Sequence, residues 1–148
     1  MTDSAVQFRQ GCSEDEQWLF QLFRLTMQEH IDAACGWEER LQHEGFVTSL
    51  PARGFQILHK PGQRLGCYYL RPNAGSLLLE MILVEPACQG LGYGQLMMNH
   101  IKATARRQQQ AVFLRVLKTN PALEFHRRCG FQQTHADDHS LEMCWQSS

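Results

Sequence analysis

The sequence predicts an α/β protein of the α+β type, with a mixed, mostly antiparallel central sheet flanked by helices. Short apolar runs of strand length alternate with longer segments whose apolar residues recur at helical spacing. Turn signals separate neighbouring strand-like runs, and helical segments interrupt them in the second half of the chain. We therefore expect the order β-α-α-β-β-β-α-β-α-β-β within a single domain spanning residues 1–148.

The first third of the chain predicts one short strand and two helices. The strand is expected at residues 6–9, and Ser13 followed by Glu16 fits a capping box that opens the first helix. The apolar positions of this helix are Trp18, Leu19, Leu22, Phe23, Leu25, Met27 and Ile31. Gly36 interrupts the pattern, and the second helix is expected from Trp37 through Phe46.

Strands dominate the middle of the chain, and two helices separate those that follow. Two strands at residues 55–59 and 64–70 flank a Lys-Pro-Gly-Gln turn, and the most apolar strand, at 77–84, should be central. The remaining elements are a helix at 92–107, a strand at 111–116, a short helix opened by Pro121 and ended by Gly130, and strands at 131–133 and 140–145.

Composition and charge exclude several classes of protein. With 43% apolar and 20% charged residues the chain is neither disordered nor a coiled coil, and a net charge of −1 argues against a nucleic-acid binder. No apolar run reaches the ~20 residues that a membrane span needs. The N-terminus lacks the pattern of a secretory signal, so we expect a cytoplasmic protein. The six cysteines form no C-x-x-C pair, so we expect free thiols and no metal.

A glycine-rich turn follows the most apolar strand. The segment Gln89–Gly94, QGLGYG, leads from that strand into an apolar-periodic helix. Glycines allow backbone N–H groups to converge, and a helix start adds partial positive charge, so the segment suits a phosphate or pyrophosphate group. The glycines alone fit a tight turn without a ligand equally well. No G-K-S/T follows, which excludes a Walker loop.

A second motif, which includes Asn120, Ala122, Gly130 and Phe131, lies about thirty residues further on. The two motifs together resemble the signatures of the GNAT superfamily of acetyl-CoA-dependent N-acetyltransferases. The family pattern R/Q-x-x-G-x-G/A matches Gln89–Gly94 at every fixed position. The later pattern, N-x-x-A-x-x-x-Y-x-x-x-G-F, is matched loosely by Asn120, Ala122, Gly130 and Phe131. The resemblance covers about residues 66–145. It implies a GNAT-like sheet and direct transfer of an acetyl group from acetyl-CoA to a primary amine of a small molecule or peptide, within a ternary complex.

The resemblance also implies where acetyl-CoA binds. Its pyrophosphate would lie on the glycine turn and its pantetheine arm along the preceding strand, which the family separates from the next strand to admit the thioester. The residues implied to contact the donor are Ile82, Leu83, Val84, Gln89, Gly90, Leu91, Gly92, Tyr93, Gly94, Gln95, Asn120, Phe125 and Arg127. For Arg127, which would approach the 3′-phosphate, the alternative is a solvated surface arginine.

Glu80 is the candidate general base that removes a proton from the attacking amine. It is the one charge in an apolar strand, and period-two alternation puts it on one face with Leu78, Ile82 and Val84. A carboxylate on such a face should be desolvated. The alternative is an edge-exposed or salt-bridged glutamate.

His126 stands where the family pattern has a tyrosine, which often protonates the leaving sulfur. A neutral imidazole N–H could donate to that sulfur. Alternatively His126 is a spacer, and water or Tyr93 acts as the donor.

Acceptor recognition in this family usually falls on the first two helices and the loop between them. His30, Trp37 and Glu38 are the candidate residues there, because an aromatic face beside carboxylates suits a cationic amine. The alternative is a hydrophobic staple with first-turn acids that favour the helix dipole. Two further alternatives stay open: a non-catalytic acyl-CoA-binding sensor, and a homodimer, since exposed C-terminal strands in this fold often pair.

Overall fold

The computed structural model describes residues 5–147 and shows a mixed α/β fold whose strands and α-helices follow the expected order. The elements are β1 (Gln7–Gln10), α1 (Glu16–Cys35), α2 (Glu39–Ser49), β2 (Phe55–Lys60), β3 (Gln63–Asn73), β4 (Ser76–Val84), α3 (Tyr93–Gln108), β5 (Val112–Leu117), α4 (Ala122–Arg128), β6 (Gln132–Ala136) and β7 (Ser140–Trp145). None of the helices within the described residues is both long and apolar enough to cross a membrane.

The described strands form one sheet in the order β1-β2-β3-β4-β5-β7-β6. Every neighbouring pair is antiparallel except β4 and β5, which are parallel and joined through α3. The sheet is therefore mostly antiparallel, as expected, and its one parallel junction lies at the most apolar strand.

Each face of the sheet carries its own apolar cluster. On one face, buried α3 side chains such as Met97 and Ile101 pack with residues of β4, β5 and β7. On the other face, Leu22 of α1 and Phe46 of α2 pack on strand residues that all belong to β2, β3 and β4. Beyond β4, the second face therefore carries no part of this cluster, and a groove lies there.

The start of α1 differs from the expected capping box. The box forms one residue earlier, on a 3-10 turn, where the Cys12 N–H donates to Asp15 Oδ2 at 2.9 Å. Asp15 is fully buried, and Arg9 and Arg64 also bind its carboxylate, with N–O distances of 2.8 and 2.9 Å. The expected pair of Ser13 and Glu16 is wrong because these ion pairs fix Asp15 in that position.

A β-bulge interrupts β4 at Glu80. Tyr69 pairs with Met81 and Leu70 pairs with Leu79, so that Glu80 is the extra residue of β4. The bulge reverses the alternation of side chains along the rest of the strand. Past the same point, β4 also loses its pairing with β5, which ends at Leu79 and Leu114.

Candidate functional site

The divergence of β4 and β5 opens a cavity of about 210 Å³ between the strands, α1 and α4, which we term the inner cavity. The gap that the family resemblance implied is thus present. The lining residues are Phe23, Met27, Ile31, Leu79, Glu80, Met81, Ile82, Leu83, Leu114, Arg115, Val116, Leu117, Asn120, Ala122 and His126. Of the expected donor-binding residues, the cavity brings together Ile82, Leu83 and Asn120.

The glycine turn leads from β4 into α3 with two residues in the left-handed region. Gly90 has φ +79° and Gly92 has φ +89°, conformations that favour glycine. Gly92 is the N-cap of α3, and no side chain of residues 5–147 caps this helix start. Its first N–H groups are therefore available to an anion, and the helix dipole favours one there.

Residues around the turn join β4, α3 and α4 at one point. A Cβ on Gly94 would lie 3.5 Å from the Phe125 ring and 3.9 Å from Val84 Cγ2. The Gln89 side chain donates to the Val84 carbonyl at 3.3 Å. Gln95 donates to Asn99 Oδ1 at 2.9 Å, so its side chain is engaged on the surface of α3.

The remaining members of the turn differ in exposure. Tyr93 packs against the apolar cluster beneath α3, whereas Leu91 is 67% exposed. An apolar side chain directed into solvent beside the helix start contributes nothing to the fold here.

Asn120 lies just before α4 and contacts both α4 and α1. Its Oδ1 accepts from the Ala122 N–H at 2.9 Å, and its Nδ2 lies 3.8 Å from Met27 Sδ. The asparagine therefore fixes the start of the short helix that carries His126. Arg127, on the outer side of α4, forms an ion pair with Glu124 at 2.6 Å, and its expected contact with a 3′-phosphate stays a prediction.

His126 is a buried titratable group with an unsatisfied nitrogen. The residue is only 5% exposed to solvent, and its Nδ1 has no hydrogen-bond partner among residues 5–147. Burial lowers the pKa of His126 from 6.5 to about 4. The imidazole is therefore neutral at physiological pH and can offer an N–H donor without carrying a charge.

Glu80 lies in the inner cavity, but its surroundings differ from those expected. Because of the bulge, Ile82 and Val84 pack in the cluster beneath α3, on the opposite face from the one continued by Met81 and Leu83. The face predicted from period two is therefore wrong for Ile82 and Val84, whereas Leu78 lines the outer cleft together with Glu80. The Glu80 side chain retains 30% exposure and pairs with Arg71, whose Nε lies 2.9 Å from Oε2, so the salt-bridged alternative describes it better than full desolvation.

The candidate acceptor residues lie outside the cavity lining. Glu38 caps α2, accepting from the Leu41 N–H at 2.6 Å. This contact agrees with the alternative that the acidic residues there stabilise the start of the helix. Trp37 donates to Glu39 at 3.0 Å and packs on Phe23, with ring centroids 5.8 Å apart. The His30 side chain is outside the lining too, although its carbonyl accepts from Thr119 at 2.9 Å.

The wall of α1 is the part of the site that sequence reasoning missed. Phe23, Met27 and Ile31 follow one another at four-residue spacing and line the inner cavity. Their spacing is visible in the sequence, but there it indicates only a buried helix face. Arg115 was missed as well, because nothing in the sequence marks a single arginine in a strand.

A second, larger groove continues from the inner cavity along the uncovered sheet face, and we term it the outer cleft. Its volume is about 480 Å³. Leu79, Glu80, Leu114 and Arg115 line both spaces. The residues that line only the outer cleft are Asn73, Ala74, Ser76, Leu78, Phe113 and Glu142. Glu80 and Arg115 therefore stand, with opposite charge, at the junction of the two.

Comparison with solved structures identifies the fold. The chain superposes on the PaiA N-acetyltransferase of Thermoplasma acidophilum in complex with coenzyme A, with a TM-score of 0.79, 13% identity and coverage of 99% and 100% of the two chains. It is also similar to the ribosomal-protein-S18-alanine N-acetyltransferase of Escherichia coli (TM-score 0.73, 15% identity, 95% and 93% covered). The chain is similar as well to N-acetylglutamate synthase of Neisseria gonorrhoeae, complexed with coenzyme A and N-acetyl-glutamate, with a TM-score of 0.73 and 20% identity. That match covers 98% of this chain and 36% of the synthase.

Sequence comparison identifies the family. No curated protein sequence matches the chain. A family model described as an acetyltransferase (GNAT) domain, however, matches residues 51–133, from just before β2 to the start of β6. Since this match covers more than half of the chain and agrees with the fold, the chain belongs to the GNAT family of acetyltransferases.

Proposed function

We propose that the chain transfers an acetyl group from acetyl-CoA to the primary amine of a small molecule or peptide, directly within a ternary complex. The observation that carries this proposal is the buried His126, whose Nδ1 is without a partner among residues 5–147 at the inner cavity. A buried polar atom without a hydrogen bond is destabilising. A sulfur atom bound in the inner cavity would provide the missing partner.

The backbone around the glycine turn fits an acyl-CoA donor. Gly90 and Gly92 bend the chain so that the uncapped start of α3 can hold a pyrophosphate through its N–H groups. The β4 edge beyond Leu79 has no pairing with β5, which leaves backbone groups for the amides of a pantetheine arm. Bound acetyl-CoA supplies the activated acetyl group. The coenzyme A bound in the Thermoplasma neighbour supports this assignment.

Glu80 is our proposed general base. An amine attacks a thioester only when neutral, and a primary ammonium such as that of lysine has a pKa of about 10.4, so a proton must be removed. Arg71 holds Oε2 of Glu80, and Oε1 is left to accept this proton, directly or through a water molecule. The new C–N bond forms as the C–S bond breaks.

His126 is our proposed donor to the departing sulfur. A ring N–H directed at the sulfur would stabilise the thiolate that forms when the C–S bond breaks. The cysteines need not act as nucleophiles in such a direct transfer. Cys129, which lies closest to His126 in the chain, is buried, and burial raises the pKa of its thiol.

Two measurements test the proposal. Acetyl-CoA should raise the melting temperature, since it binds the folded state. Release of free thiol in the presence of a panel of amines should then report transfer. Glu80→Gln and His126→Phe should each lower kcat by roughly a hundredfold or more with acetyl-CoA affinity unchanged. Glu14→Gln and His59→Phe, at positions outside the cavities, are the matched controls and should keep full turnover.

The outcomes separate the alternatives. A melting-temperature shift without thiol release from any amine would favour the non-catalytic acyl-CoA-binding sensor. Full turnover with an unchanged pH profile in Glu80→Gln would remove Glu80 as the base. Unchanged turnover in His126→Phe would remove His126 as the donor.

A further inference from the structure

Arg115 occupies the point at which β5 leaves β4. The preceding residue, Leu114, is the last one of β5 that pairs with β4. The Arg115 side chain lines both the inner cavity and the outer cleft and is 60% exposed. A molecule that reaches the inner cavity through the outer cleft must therefore pass this guanidinium group.

The guanidinium of Arg115 is anchored at one nitrogen. Nη1 donates to Asp137 Oδ2 at 3.2 Å and to Ser140 Oγ at 3.1 Å, whereas Nε and Nη2 have no hydrogen-bond partner within the part of the chain that the structure describes. Nε and Nη2 form an edge that can bind a carboxylate through two parallel hydrogen bonds. The edge best suited to a carboxylate is thus the edge left unoccupied.

The neighbouring acidic groups all have partners other than the Nε–Nη2 edge of Arg115, and Asp137 is the carboxylate that Nη1 itself contacts. Asp137 accepts from the backbone N–H groups of His139 and Ser140 at 2.8 and 2.7 Å, which lowers its pKa to about 2. Glu142, opposite Arg115 on β7, accepts from Thr134 at 2.7 Å and from His135 at 3.0 Å.

The last acidic group at the junction is Glu80, which pairs with Arg71. Each carboxylate around Arg115 therefore has a partner other than the Nε–Nη2 edge, and none within residues 5–147 occupies that edge. An anion brought by a ligand would do so.

Opposite charges and an apolar wall meet at this junction. Glu80 and Arg115 line the same two spaces, and the α1 residues Phe23, Met27 and Ile31 form the apolar side of the inner cavity. A ligand with an ammonium, a carboxylate and an apolar substituent on one carbon would satisfy all three features. A peptide N-terminus lacks the carboxylate next to its amine, and a simple alkylamine lacks it altogether.

We propose that the acceptor is a free α-amino acid with an apolar side chain, and that Arg115 binds its carboxylate. This inference rests on the proposed acetyl transfer, and it makes Arg115 the residue that selects the acceptor. The amino group then lies toward Glu80, and the side chain packs on the wall formed by α1. The product is an N-acetylamino acid.

The test measures acceptor binding separately from turnover. The protein saturated with coenzyme A is melted with each proteinogenic amino acid and with the matching α-amide, and in parallel thiol release from acetyl-CoA is measured for amino acids, amides and decarboxylated amines. At least one apolar amino acid should raise the melting temperature, and it should bind about tenfold to a hundredfold more tightly than its amide. Arg115→Gln should abolish this preference, Arg115→Lys should restore part of it, and Arg107→Gln, an exposed arginine on α3, should leave it intact.

The binding measurement decides the inference, and the thiol measurement decides the proposed function. Equal binding of an amino acid and its amide, tighter binding of amides or dipeptides, or no binding of any amino acid would overturn the role of Arg115. So would a preference that survives in Arg115→Gln. Thiol release with decarboxylated amines but no carboxylate preference would refute the inference while leaving acetyl transfer in place. Amino acid binding without any thiol release would refute acetyl transfer instead.

Discussion

The buried imidazole of His126 makes the free energy of unfolding depend on pH, and substitution at this one position isolates its contribution. The side chain is almost completely removed from solvent, and its pKa is lowered from 6.5 to about 4 because burial penalises the charged ring. In the unfolded chain the same ring is hydrated and protonates near pH 6.5. Between these two pH values the unfolded chain binds a proton that the folded protein does not.

The direction and size of the effect follow from this difference. Where the unfolded state binds more protons, the free energy of unfolding falls as the pH is lowered. One pKa unit corresponds to 1.36 kcal/mol. His126 should therefore lower the free energy of unfolding by about 2 kcal/mol at pH 5 and by about 3 kcal/mol below pH 4, and should not change it above pH 7.5. The stability penalty is therefore absent at neutral pH and develops as the pH falls through 6.5.

Urea unfolding of wild type, His126→Gln and His126→Phe at pH 7.5 and pH 5.0 measures this effect. Each substitution changes the free energy of unfolding by some amount at pH 7.5. At pH 5.0 the free energy of unfolding of both variants, relative to wild type, should be about 2 kcal/mol higher than it is at pH 7.5. Asp15 and His100 also have lowered pKa values, but both act equally in all three proteins and cancel in the comparison. A difference that stays the same at the two pH values would refute the burial argument.

Two further substitutions, together with one control, test the proposed phosphate site and the start of α1. Gly92→Ala and Gly75→Ala impose the same left-handed φ on alanine, at +89° and +87° with open space around each, and each should lose about 1 kcal/mol of stability in urea. Calorimetry should show weaker acetyl-CoA binding for Gly92→Ala alone, and equal affinities would contradict the site. Asp15→Asn should lose about 3 kcal/mol, since Arg9 and Arg64 lose their anion. The Asp15 carboxylate has a lowered pKa, so this loss should shrink in acid, as pH falls below 3.8.

The order of elements could be predicted because local signals mark most of them. The apolar run of β4 and the helical spacing of α1 and α3 are strong, and Pro121, which precedes the first residue of α4, marks the start of that helix. The weakest prediction concerned β6, which runs over Gln132–Ala136 rather than 131–133. All five of its residues are exposed, so no apolar alternation marks where this edge strand ends.

The chemistry of the site could be predicted only in part, because it depends on how strands pair. The glycine turn and His126 follow from motifs, whereas the bulge at Glu80 follows from its pairing with β3 and has no signal within β4 itself. A single extra residue then exchanges the two faces of the strand, which is why period two fails for Ile82 and Val84, beyond the bulge. Arg115 acquires its position only because β4 and β5 stop pairing one residue earlier.

The replacement of the family's tyrosine by His126 retains the property that the proposed step needs. A tyrosine hydroxyl is an uncharged donor at neutral pH, since its ordinary pKa is about 10. A solvent-exposed histidine would be partly charged, and an imidazolium against the apolar wall of the inner cavity would be destabilising. Burial keeps the ring uncharged in this apolar surrounding, because a pKa of about 4 leaves His126 neutral at physiological pH. The neutral ring can still donate a hydrogen bond from one nitrogen. If His126 is the donor, turnover should not decline as the pH rises through 6.5, since no positive charge is lost there.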